Sequence, residues 1–402
     1  MQKQNDGYKW YILALVVLTN MLVVAMPAMG MSVLAKEISQ DLSLNIVQVG
    51  IVWGIGSMPA IFTSLLGGSI GDKLGPKHVL VAGSLIAGLL GAARGFASSY
   101  HALLVVVIIL GGLIPFVSMN GIKIVGQWFP SSQLGLANGL ISMGMALGFL
   151  LGSMLSATVF SPFLGGWRNV LIFYGVAGAL FFIPWAFVRE IPLAHHKSGQ
   201  TLSLRVVIWK VVRNKNVWLL GLTFFGIGGA IQSILGYLPL YLRNIGWSPI
   251  HADGVLTAFH TASMIFVMPI ALWSDRMKSR KGLLLLTALS VMLGTGLLSV
   301  ADGNWVWAAV LMAGFVRDGF MAILLTMIIE ADGVGPAYAG TALGFVMALS
   351  GIANTVAPPL GNSLAAISAS TPFLFWAGWA LFGVICLSLF KQSAPEMQKN
   401  IS

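Results

Sequence analysis

Arg317 and Asp318 stand side by side in the middle of a long apolar run, 304–328. Arg317 lies 13 residues into that run, about 20 Å along a helix rising 1.5 Å per residue. A charge at such depth is costly, so it marks a site by default. The guanidinium is a planar fork that binds a carboxylate or other oxyanion bidentately. A carboxyl group beside it can take up and release a proton, which suits coupled movement of proton and substrate. Adjacent helical residues point roughly 100° apart. One of the two can therefore face a cavity while the other faces a neighbouring helix, and a charge pair that merely holds helices together would use the same residues. His260, in the run 254–273, adds a group with an ordinary pKa near 6.5. It can relay a proton, bond a substrate, or sit neutral between helices. Arg94 and Lys123 fall near the ends of their runs, where long basic side chains reach back to the interface. Lys123 can alternatively meet an anion at the inner end of its run.

These side chains are carried by an apolar chain. Of 402 residues, 57% are hydrophobic and 8% charged, against about 25% charged in a soluble domain. Such a sequence cannot cover a water-facing surface, which excludes a soluble enzyme, a disordered chain and a disulfide-stapled domain. The lone cysteine, Cys386, has no partner for a disulfide. Twelve apolar runs can be read: 10–35, 47–71, 79–98, 102–127, 135–160, 168–188, 217–241, 254–273, 283–300, 304–328, 339–363 and 372–390. Each is long enough for a transmembrane helix and too long for a strand of a membrane β-barrel. No phosphate-binding loop for ATP, His/Cys metal cluster or nucleophile-elbow pattern appears. No cofactor, metal or enzymatic chemistry is therefore expected.

Lys and Arg set the orientation. With both termini cytoplasmic, sixteen of the 22 basic residues fall inside, three (Lys36, Arg168 and Arg243) outside, and three within helices. The formal charge of +10 then belongs to cytoplasmic loops, and nucleic acid is not an expected partner. The longest loop, 189–216, divides the chain into 1–188 and 217–402. Within it Arg205, Trp209 and Arg213 recur every four residues and predict a short helix on the inner membrane surface.

The halves echo each other. Gly68-Ser69-Ile70-Gly71-Asp72-Lys73-Leu74-Gly75-Pro76-Lys77 follows the second run, and Ser274-Asp275-Arg276-Met277-Lys278-Ser279-Arg280-Lys281 follows the eighth. Asp72 and Asp275 are 203 residues apart, and the pair Gly135–Gly139 and Gly340–Gly344 is offset by 205. Two nearly equal offsets indicate duplicated six-helix halves. The first segment resembles the cytoplasmic signature of the major facilitator superfamily, G-x-x-x-D-R-x-G-R-K, with Lys73 and Pro76 in place of its arginines. The resemblance implies an all-α membrane protein whose twelve helices form two pseudo-symmetric bundles, rocking about a central site by alternating access. Gly68, Asp72, Lys73, Gly75, Lys77, Asp275, Arg276 and Arg280 then form the expected latch.

Trp128-Phe129-Pro130 with Gly135–Gly139, and Gly165-Gly166-Trp167-Arg168, resemble the branches that carry small anions and organic acids. Drug:proton antiporters differ. They carry an arginine in the middle of the fourth span, where this chain has Leu110–Phe116, and a proline motif in the fifth, where it has only Gly144, Gly148 and Gly152. The first-span arginine of the organic-anion symporters is also missing; this sequence offers Asn20. In the family, spans one, four, seven and ten line the path. Asn20, Asn120, Gln232 and Tyr237, with Asn354 of span eleven, are therefore candidates to complete a site around Arg317, though each can equally fasten helices. The expectation is a multi-pass, monomeric permease of a prokaryotic inner membrane that moves a small anion, an organic acid, together with a proton. The rival expectation is proton-coupled efflux of a lipophilic drug or metabolite. A sensor built on this fold would need an added signalling domain.

Overall fold

The computed structural model describes residues 6–189, 204–277 and 280–391. Among them, twelve helices are long and apolar enough to cross a membrane. Spans 1 to 6 are Gly7–Val33, Ile46–Ser64, Pro76–Phe96, Tyr100–Trp128, Gln133–Leu164 and Trp167–Ala186. Spans 7 to 12 are Lys215–Asn244, Pro249–Ser274, Arg280–Leu297, Asn304–Ile329, Tyr338–Ala366 and Thr371–Leu389. Each sequence run has its helix. An even number of crossings places the start of span 1 and the end of span 12 on one face, called here the terminal face. Large apolar side chains such as Phe62, Leu89, Phe163 and Leu374 are exposed, as a lipid-facing belt requires. Residues 190–203 of the linker lie outside the described residues. Its described helix, Leu204–Val212, buries Val207 and Val211 and exposes Ile208 and Trp209. Arg213 stacks over Trp209 at 3.1 Å and Lys210 over Tyr338 at 4.4 Å.

Glycines let the helices touch. Gly144, Gly148 and Gly152 of span 5 face Val17, Met21, Ala25 and Met26 of span 1 so closely that a Cβ on any of them would collide. The four-residue spacing that departs from the antiporter motif thus seats span 1 against span 5. Gly75 turns the chain between spans 2 and 3 at φ +84°, a conformation that suits glycine.

Several spans depart from regular helix. Span 1 holds a π-helical segment, Asn20–Ala25, and span 5 another, Ser156–Phe160. Span 10 breaks into Asn304–Gly314 and Arg317–Ile329. The sequence reading treated span 10 as continuous. The break follows Gly314, which packs against Phe259 of span 8 with no room for a Cβ.

The two halves meet between the midplane and the face opposite the termini. Among the described residues, each hydrogen bond that joins the halves lies there. Prolines prepare these contacts. Pro239 has no N–H, so it leaves the Leu235 carbonyl of span 7 without its helical donor. The Ser32 hydroxyl of span 1 donates to that carbonyl instead. Pro358 and Pro359 likewise leave the carbonyls of Asn354 and Thr355, and Gly54 of span 2 packs directly on both. Trp53 Nε1 donates to Gln232 O at 2.7 Å, Lys36 Nζ to Arg243 O at 2.9 Å, and Asn362 Nδ2 to Ile46 O at 2.8 Å. The buried core follows the same division. One cluster runs from Met29 and Val33 into the second half, while Ile12, Val16, Leu80, Ile124 and Trp185 form a separate cluster at the terminal face of the first.

Candidate functional site

The break in span 10 puts Arg317 and Asp318 in the first turn of its second half-helix. Unpaired N–H groups and the positive end of the helix dipole gather at such a start, and both favour an anion. Asp318 Oδ1 lies 3.4 Å from Arg317 Nη1. Its Oδ2 accepts from the Ser263 hydroxyl of span 8 at 2.7 Å, and Ser263 Oγ in turn accepts from the Asp318 backbone N–H at 3.1 Å. The guanidinium lies 5.2 Å from the centre of the Phe149 ring of span 5, so the site faces the opposite half. The Arg317 and Asp318 side chains stay 20% and 32% exposed.

Phe149 also touches His260, with ring centres 5.5 Å apart. His260 is buried, its Nε2 lies 3.3 Å from Met29 Sδ of span 1, and its Nδ1 has no partner. Met29, Phe149, His260 and Arg317 thus join both halves at one level. Gln232 belongs to that level, since Gln232, His260 and Arg317 stand 12, 11 and 13 residues from the far ends of their spans. The Gln232 side chain is half-buried and has no hydrogen-bond partner among the described residues. Asn354 is half-buried too, with Oδ1 unpartnered.

The other neutral candidates are placed differently, which corrects the expectation that they face the path. Tyr237 packs among Tyr241, Phe373 and Trp376 and donates its hydroxyl to Ala369 O at 2.8 Å. Asn120 is fully buried and donates to Gly67 O and Phe116 O, fastening span 4 to span 2. Asn20 bonds Val16 O of its own helix and lies against Gly121. The physical reason is common to all three: a buried amide or hydroxyl seeks the nearest free carbonyl, and these found theirs within one bundle.

At the terminal face the signature residues pair within their own halves. Asp72 binds Lys123 at 2.6 Å, with the Asp72 side chain largely exposed, so Lys123 reaches the terminal face as expected of a basic residue near a helix end. Arg280 binds Glu330 at 3.3 Å in the second half. Lys73 and Arg276 are exposed, and Lys77 is half-buried. The backbone of Gly68 and Asp275 is helical, but the Asp275 side chain lies outside the described ones.

One buried ion pair escaped the sequence reading. Arg243 Nη2 donates to both carboxylate oxygens of Asp253, at 2.5 and 2.6 Å, with side chains 5% and 1% exposed. Asp318 is thus not the only acid within the spans. Asp253 is covered by the far face, and Ser161 donates to nearby Glu37 at 2.6 Å. Ser263, Met29 and Phe149 were also missed, because a hydroxyl, a thioether and a ring on apolar helices carry no sequence signal apart from packing.

A sequence profile of the Major Facilitator Superfamily matches residues 13–333 and 243–402. The probable sulfoacetate transporter SauU of Cupriavidus necator is 27% identical, over 90% of this chain and 89% of its own. The hexuronate transporter of Bacillus subtilis is 23% identical over 93% and 94%. The 3-(3-hydroxy-phenyl)propionate transporter of Escherichia coli is 25% identical over 87% of each. In three dimensions, a bacterial homologue of the human lysosomal transporter Spinster, crystallised inward-facing and unoccupied, superposes with a TM-score of 0.80. It is 16% identical over 97% of each chain. The nucleoside transporter NupG gives 0.78 at 14% identity, over 95% of this chain and all of its own. Relatives and neighbours alike are transporters rather than enzymes, and several relatives are named for organic acids. Twelve spans in two bundles, a profile covering nearly every residue and a charged centre between the bundles agree: this multi-pass membrane protein is a transporter of the major facilitator superfamily.

Proposed function

We propose that the protein carries a small organic anion inward across a prokaryotic inner membrane, together with a proton, by alternating access. The carrying observation is Arg317, a guanidinium at mid-depth, at the start of a half-helix, partly exposed and bordered by Phe149 of the opposite half. An anion would lie across its fork, with the half-helix start adding favourable potential. Gln232 and Asn354 supply neutral donors on the facing spans, and Phe149 a wall. Relatives named for sulfoacetate, hexuronate and a phenylpropionate favour a carboxylate over a drug. Asp318 is the proton carrier. It sits within reach of Arg317, so a proton on Asp318 frees the guanidinium for substrate, and substrate favours a proton on Asp318. One proton with a monoanion also offsets the membrane potential, about 2.3 kcal/mol per charge per 100 mV.

With the basic loops taken as cytoplasmic, the contacts between the halves close the outer face in this conformation. Outward opening then requires the Ser32, Trp53, Lys36 and Asn362 contacts to break. The pairs Asp72–Lys123 and Arg280–Glu330 lie at the cytoplasmic ends, where partners would exchange as those ends approach. Function is expected from one chain, since both halves are present. The test is uptake of radiolabelled small mono- and dicarboxylates into proteoliposomes under an imposed inward proton gradient. Gradient-driven accumulation of one carboxylate, abolished by Arg317→Ala, is expected; export of lipophilic cations that Arg317→Ala leaves intact would overturn the reading.

A further inference from the structure

Arg94 closes span 3 near the outer face, and its side chain is only 4% exposed. It does not reach to the interface. It turns into the first bundle, where Nε donates to Gly91 O at 3.3 Å. Among the described residues it makes no other hydrogen bond and no ion pair. The two terminal amino groups of the fork therefore have no protein acceptor. Arg243, the chain's other deeply buried arginine, shows what such a group requires: both oxygens of Asp253 bind it. A buried cation without a counter-charge is strongly unfavourable.

Arg94 borders a cavity of about 130 Å³. Val23, Pro27, Leu110, Ile114 and Tyr174 line it from spans 1, 4 and 6. The space arises from glycine. Gly88, Gly91, Gly175 and Gly178 hold spans 3 and 6 together and contribute no side-chain volume to the bundle interior. About 10–15 Å³ of such space holds one water, so the cavity admits several waters or one small anion. Tyr174 adds a hydroxyl at the wall, shared with Ser156 at 2.7 Å.

We propose that Arg94 holds a small monovalent anion of nitrate or acetate size inside the first bundle, at a site separate from Arg317. The planar fork matches a planar oxyanion, and bidentate contact fixes it. The apolar wall excludes water and so strengthens that contact. Water alone would leave the charge uncompensated. The lining comes from spans 1, 3, 4 and 6 of one half, so the site needs no residue of the other half.

The test uses the purified full chain carrying Arg317→Met, which removes the guanidinium of the transport site and makes the result independent of the function proposed above. Sodium acetate or nitrate replaces a bulky sulfonate salt at constant ionic strength while thermal unfolding is followed. A saturable rise in Tm on the order of 2–4 °C is expected. Adding Arg94→Met should abolish it and, in the sulfonate buffer, leave the protein at least as stable as its parent. A merely structural arginine would instead lower Tm in every buffer. Ala28→Leu fills the same cavity from span 1 and keeps the guanidinium, and it too should lose the response. No saturable rise in the Arg317→Met protein, or a rise that survives both Arg94→Met and Ala28→Leu, would overturn the proposal.

Discussion

Arg317 and Asp318 were legible because charge at mid-span is rare and costly. Their partners were not. Ser263 became one only when span 8 crossed span 10, and the sequence gives no crossing point. Lys fits poorly where a planar fork is needed. Arg317→Lys should therefore weaken carboxylate binding by about tenfold or more, measured by equilibrium binding, although the charge is kept. Asp318→Asn removes the proton and leaves the fork. It should abolish accumulation driven by a proton gradient while substrate exchange across the membrane persists, and loss of both would point to a structural acid. The Arg243–Asp253 pair makes a different statement. Removing one partner of a buried pair leaves an uncompensated charge, at about 3–5 kcal/mol. Asp253→Leu should lower Tm sharply, and the double variant Arg243→Met with Asp253→Leu should recover much of the loss. That pair was hidden by two small errors of boundary. Span 7 was ended at 241 and span 8 begun at 254, whereas the helices run to Asn244 and from Pro249. A few residues at two helix ends turned a buried ion pair into two loop charges.

At the scale of the element, all twelve runs became helices because length and apolarity suffice in a solvent without hydrogen bonds. The break in span 10 was not legible. Gly314 is one glycine among 48, and only its contact with Phe259 marks it as the place where the helix gives way. A proline in the sequence does not tell which group will take the carbonyl it frees. Pro239 frees a carbonyl that Ser32 then occupies, and this makes a closed cycle of predictions. Ser32→Ala should weaken closure of the outer face by about 1 kcal/mol, the net worth of a typical hydrogen bond. In a Pro239→Ala background the helix supplies its own N–H, so the same change should cost little. Equal costs in both backgrounds, read from accessibility of an outer-face cysteine probe, would show that Ser32 does not answer to the proline.

For the whole molecule, the paired offsets of 203 and 205 point to two halves, and the basic asymmetry gives an expected topology. The conformation was beyond reach. Apolar periodicity reports which residues are buried, not how two halves are tilted, so the conformation leaves no pattern in the sequence. The structure supplies a way to hold one conformation. A Cβ on Gly351 would lie 2.6 Å from the Ile61 side chain across the interface. In a Cys386→Ser background, Ile61→Cys with Gly351→Cys should cross-link readily on oxidation, stop transport, and release it on reduction. Transport that continues through the cross-link would mean these spans do not separate in the cycle.

The most direct test of the anion centre is binding to the purified protein without transport. Thermal unfolding would be compared across small mono- and dicarboxylates, inorganic anions and lipophilic cations, for the wild type and Arg317→Ala in parallel. A ligand that binds only the folded state raises stability by mass action, about 2.7 kcal/mol at a hundred times its dissociation constant. Stabilisation by one class of carboxylate, lost in Arg317→Ala, is the predicted result. Stabilisation by lipophilic cations alone, unchanged in the variant, would contradict it.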